Sequence, residues 1–120
     1  MTALIEVDKT YEAKGVFVLS VTRGLEHSAL SLFGDEIKAI IKENEAELNG
    51  VVLDLKATEL LNSNAIAMIV MTLKTLKIMG ASLVLINVSK SSFDVLEITH
   101  LNELISKADS LADAIEICLS

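Results

Sequence analysis

The sequence predicts a single α/β domain: a mostly parallel mixed sheet that opens with an antiparallel hairpin and carries about four helices. Three observations lead there. Two extended segments meet at Lys14-Gly15, apolar strands then alternate with stretches of helical periodicity, and glycine closes two of those stretches, at Gly50 and Gly80. The order is β, β, α, β, α, β, α, β, α. There is no proline, linker, low-complexity segment or internal repeat, so residues 1–120 read as one domain.

Residues 4–13 and 15–23 form the hairpin. The first alternates only roughly and reads as an edge strand, whereas Val16, Phe17, Val18, Leu19 and Val21 make the second apolar on both faces and interior. A turn-rich connection, Arg23 to Ser28, follows. From Ser28 to Leu48 the residues Leu30, Phe33, Ile37, Ile40, Ile41 and Leu48 recur at helical spacing, and Asn49-Gly50 supplies a stop. Val51–Leu55 is a short apolar run of the kind covered on both faces of a sheet. A long helix runs from Asn64 to Met79, Ser82–Val88 is the next buried strand, and Phe93, Leu96, Ile98 and Leu101 mark a shorter helix after the Ser89–Ser92 turn. Leu104-Ile105 reads as a last short strand and Ser110–Leu119 as a final helix.

The totals exclude several functions. With 52% apolar residues the chain packs a real core, and 3% aromatics make that core aliphatic. A net charge of −7 gives no basic footprint for nucleic acid. The N-terminus lacks the basic-then-apolar pattern of a signal peptide, and no run reaches the length of a membrane span, so a soluble, cytoplasmic protein without membrane insertion is expected. Cys118, the one cysteine, cannot form an internal disulfide and falls in the apolar pattern Leu111, Ile115, Cys118, Leu119, as a buried small hydrophobe would. His27 and His100 have no metal-pair spacing, no Gly-rich phosphate loop exists, and Asp54 is a lone carboxylate in a central strand. Glu43, Glu45 and Glu47 read as a solvated helix face. No catalytic residue, metal or cofactor is expected; the chain does not read as an enzyme.

The stretch Val51 to Gly80 is the most informative. It places Ser63 where a buried strand hands over to a helix N-terminus, within the run Asn62-Ser63-Asn64, all three strong N-cap types. The Ser63 hydroxyl can cap the helix, or it can be presented as a phosphate acceptor. Past it, Ile66, Ile69, Val70, Leu73 and Leu76 form a core stripe, while Met68, Met71, Ile78 and Met79 lie partly outside it and Lys74 and Lys77 are the only charges. Either neighbouring helices cover this excess, or Met71, Lys74 and Ile78 belong to a docking surface.

The run VVLDLKATELLNSNAIAMIVMTLKTLKIMGASLVL, continued by Val95-Leu96-Glu97-Ile98-Thr99-His100-Leu101, resembles the STAS domain of anti-sigma factor antagonists. That family shows a strand, a connector, an Asp-Ser-Ser/Thr-Gly cluster, a helix, a Gly-then-strand step and a late Leu-x-hydrophobic-Thr-Gly-Leu segment. The resemblance implies that Ser63 is a phosphoacceptor, and that Asn62, Asn64, Ala67, Met71, Lys74 and Ile78 contact a partner. It implies an anti-sigma factor that is a serine kinase of the GHKL type, a serine phosphatase that resets the switch, and leaves a homo-oligomer open. Asn62 stands where Asp is usual, Asn64 where Ser or Thr is, Ala65 for Gly and His100 for the later Gly. Two other functions stay open: a non-sigma STAS subunit (a stressosome-like scaffold or an accessory protein of a transporter ATPase), and a small-ligand binder using a cleft beside Asn62–Asn64.

Overall fold

The alternating apolar strands assemble one five-stranded sheet in the order β1-β2-β3-β4-β5. A computed structural model describes residues 5–21, 30–58 and 61–120. The elements are β1 (Ile5–Asp8), β2 (Val16–Val21), α1 (Leu30–Asn44), β3 (Gly50–Asp54), α2 (Ser63–Ile78), β4 (Ser82–Ile86), α3 (Lys90–Ile98), β5 (Ser106–Lys107) and α4 (Leu111–Leu119). β1 pairs antiparallel with β2, and every other neighbouring pair is parallel. The expected class, order and edge position of the first strand all hold.

Because side chains alternate along a strand, each strand serves two cores. Phe17, Leu19, Val51, Leu53, Leu83 and Leu85 point to the face covered by α1, α2 and α3, where Ile37, Ile41, Ile69, Leu76 and Leu96 meet them. Val16, Val18, Val52, Val84 and Ile86 point to the other face, which α4 covers with Ala114, Ile115 and Cys118. Leu76 and Leu85 are wholly buried, and truncating either to Ala should cost about 2–5 kcal/mol. Two glycines permit the close approach of layers: a Cβ at Gly50 would lie 2.5 Å from Cys118 Sγ, and one at Gly34 would collide with Met68 Cε. α4 therefore packs closely on β3, and α1 on α2, because no side chain intervenes at Gly50 and Gly34.

Several boundaries differ from the sequence pattern, each for a local reason. α1 ends at Asn44 instead of running to Leu48: the Asn44 amide donates to the Ile40 carbonyl at 2.8 Å and competes with helix continuation. Asn49-Gly50 consequently stops no helix. Gly50 opens β3, and the Asn49 amide donates to the Lys14 carbonyl at 2.7 Å, tying the hairpin loop to the sheet. The first strand is four residues long, since Asp8 turns the chain by accepting from the Thr10 N–H at 2.9 Å. α3 begins at Lys90, with Ser89 as its cap, within the stretch expected to be a turn. The last strand is Ser106–Lys107, because Leu104 and Ile105 still belong to the exit of a 3-10 turn, where Ile105 N–H donates to Leu101 O at 2.9 Å. The connection Arg23–Ser28, with His27, and the side chains of Leu30 and Phe33 lie outside the described residues.

α2 ends as its glycine predicts. Gly80 has φ +76°, Ala81 N–H donates to Leu76 O at 2.8 Å and Gly80 N–H to Lys77 O at 3.0 Å, the paired bonds of a Schellman close.

Candidate functional site

Three adjacent cap-type residues precede α2, and the structure selects Asn62. Its backbone is extended (φ −81°, ψ 172°), its side-chain oxygen accepts from Ala65 N–H at 2.8 Å, and its carbonyl accepts from Ile66 N–H at 3.0 Å. Ser63 is thus the first helical residue and not the cap. It is exposed, and its hydroxyl has no hydrogen-bond partner among the described residues. Asn64 follows in the first turn; its side chain lies outside the described residues. Ala65, where the resemblance expects Gly, is fully buried in helical backbone, so its methyl packs in the core and no special backbone freedom is needed there.

The connection from β3 is held at several points. Leu55 N–H donates to Ile86 O at 3.1 Å, Thr58 N–H to Leu55 O at 2.9 Å, and Leu61 N–H to the hydroxyl of Ser92 at 3.1 Å. Asp54 closes the strand end by accepting from Lys56 N–H at 2.9 Å and from the Asn87 amide at 3.0 Å. Both bonds give Asp54 a structural role. Ser92 was not marked by the sequence as part of the site, since nothing local announces a bond between residues 31 positions apart.

Spacing puts Ser63, Ala67, Met71, Lys74 and Ile78 on one face of α2, a stripe about 22 Å long at 1.5 Å per residue. All five are exposed, with Met71 at 51% and Ile78 at 87%. Met68 and Met79 are packed against the core, so neighbouring elements cover that part of the apolar excess. Met71 and Ile78 remain outside. No acidic residue stands in the first turn of α2, and both of the helix's charges, Lys74 and Lys77, are exposed cations. The positive end of the helix dipole at Ser63 is therefore not neutralised by its own first turn.

His100, in the position where the resemblance expects Gly, has a left-handed backbone (φ 62°) at the exit of α3. The geometry that favours glycine is retained with a side chain in place. Among the described residues no group of three or more His, Cys, Asp or Glu is disposed to hold a metal, and no helix is long and apolar enough to cross a membrane.

Comparison with solved structures finds the same architecture. A STAS domain protein of Planctomyces limnophilus superposes with a TM-score of 0.80 at 22% identity, covering 98% of this chain and 99% of that one. An anti-sigma factor antagonist from Mycobacterium paratuberculosis gives 0.79 at 20% identity, over 97% and 93%. The Bacillus cell fate determinant SpoIIAA in its phosphorylated form gives 0.69 at 14% identity, over 93% and 96%. At these identities the likeness speaks for the fold. No curated protein matches by sequence. The family model described as STAS domain matches residues 7–114, nearly the whole described sheet and its helices, and the chain belongs to the STAS domain family.

Proposed function

We propose that this chain is a phosphorylation-switched protein-interaction domain of the anti-sigma factor antagonist type. It docks an anti-sigma factor that is also a GHKL-type serine kinase while Ser63 carries a free hydroxyl, and it is released when Ser63 carries phosphate. A serine phosphatase returns it to the binding state. The observation that carries this reading is the division of labour at α2: Asn62 caps the helix, which leaves the exposed Ser63 hydroxyl at the head of the Ala67, Met71, Lys74, Ile78 stripe.

Physical chemistry supports both halves of the switch. A phosphoserine adds roughly −1.5 to −2 charges and strong acceptor oxygens. At the first position of a helix those oxygens meet N–H groups that have no intrahelical acceptor, and the dipole favours the charge, so the domain tolerates the modification. A docked partner does not. Burying a phosphate without compensation costs several kcal/mol, and about 4 kcal/mol corresponds to roughly a thousandfold in affinity.

The experiment is a binding titration of the GHKL-type serine kinases of the same organism with Ser63→Ala and Ser63→Asp. Ser63→Ala should bind as the unmodified chain does, and Ser63→Asp at least about tenfold more weakly. Equal binding by both sinks the switch. The exposure of Met71 and Ile78 would then belong to a permanent contact, in a scaffold or on a transporter ATPase.

A further inference from the structure

The geometry points to Ser92 as the positioning residue that fastens the Ser63 loop to the first turn of α3 and transmits changes at Ser63 into that helix. Ser92 is 1% exposed, and its Oγ accepts the backbone N–H of Leu61, itself 1% exposed, at 3.1 Å. The same oxygen accepts from the Ser89 hydroxyl at 2.9 Å, while Ser92 N–H donates to Ser89 Oγ at 3.1 Å. Ser89 is the N-cap of α3. A hydrogen-bond path therefore runs from the residue just before the Asn62 cap, through one buried hydroxyl, to the cap of the next helix.

This path is not ornamental to the loop. Leu61 precedes α2 and lies in neither helix nor strand, so no ladder partner satisfies its buried N–H, and a buried N–H without an acceptor is costly. The Ser92 hydroxyl supplies the acceptor. Ser63 is two residues away, and the intervening Asn62 is held to the helix by its own bond to Ala65 N–H. A charge placed on Ser63 that shifts the first turn of α2 must move Asn62 and Leu61 with it, or stretch the bond to Ser92. Either response reaches the first turn of α3, an element whose far end exposes Ile98 at 79%. Ser92 thereby widens the region that a change at Ser63 can alter, from one helix to two.

The biological use of this coupling rests on the reading of Ser63 as the switch, but the coupling itself is tested without a kinase. Amide spectra and hydrogen exchange are recorded for the full chain and for Ser63→Glu, each with Ser92 intact, with Ser92→Ala and with Ser89→Ala. With Ser92 present, Ser63→Glu should shift the amide resonances of Lys90–Phe93. With Ser92→Ala those shifts should vanish, Leu61 amide exchange should accelerate about tenfold or more, and the central-strand amides of Val52 and Val84 should keep their protection. Ser89→Ala removes the α3 cap and leaves the Leu61 acceptor in place, so the shifts should persist. An α3 response that survives Ser92→Ala, or an unchanged Leu61 exchange rate, overturns the assignment. So does equal uncoupling by Ser89→Ala, which would hand the effect to capping alone. Absence of phosphate on Ser63 in cells would defeat the functional reading and leave this coupling standing, so the two failures are distinguishable.

Discussion

At the start of α2, two neighbouring side chains divide two tasks. Asn62 satisfies the Ala65 N–H, and Ser63 is left exposed as the first helical residue. Asn62→Ala should therefore cost about 1 kcal/mol of stability in urea denaturation, whereas Ser63→Ala should stay within about 0.5 kcal/mol. The reverse pattern would return the cap to Ser63. Sequence alone could not decide this, because Asn62, Ser63 and Asn64 are all good cap formers and only the register of the incoming loop separates them. Cys118 tests the second core in the same way. Burial raises its thiol from the ordinary 9.0 to about 11. With the folded value above the unfolded one, the associated stability is fully present below about pH 9 and is lost as pH rises toward about 11. A thiol reagent at pH 8 should label the protein only at its opening rate, and Cys118→Ala should flatten the alkaline loss measured by denaturant midpoints. Rapid labelling of the folded chain would contradict the burial.

Among the elements, α2 was the most legible. Its apolar stripe, its cap-type residues and Gly80 all agreed, and its observed range, Ser63–Ile78, differs by one residue at each end from the pattern. α1 was overrun because Ile41 and Leu48 are both buried, one by the helix and the other by the turn after it, so burial mimicked periodicity past Asn44. β5 was misplaced by two residues because a two-residue strand of Ser and Lys carries no apolar signal, while Leu104, 58% exposed, offered a misleading one. The functional prediction at this scale concerns the exposed stripe. Met71→Lys and Ile78→Lys should leave the unfolding free energy within about 0.5 kcal/mol of the parent. Each should weaken the proposed complex with the anti-sigma kinase about tenfold or more, as the loss of an apolar anchor does. A fall in stability without a change in binding would place these residues in the protein's own packing.

For the molecule as a whole, the mixed sheet packed on both faces gives α2 a stiff support, and the site is built on that support and not on a free loop. Both ends of α2 are fixed, by the Asn62 cap and by the Gly80 close. A charge added at Ser63 should therefore change what the domain binds more than whether it is folded. The fold was readable because strand and helix periods alternate cleanly along the chain. The link through Ser92 was not, because it joins residues 31 positions apart and leaves no local pattern. The most direct measurement is the intact mass of the protein purified from its native cells under several growth and stress conditions, with peptide mapping across Ser63. A population heavier by one phosphate, localised to Ser63, is the predicted result; its absence in every condition would contradict the switch and leave Ser63 an exposed residue at the head of a permanent contact.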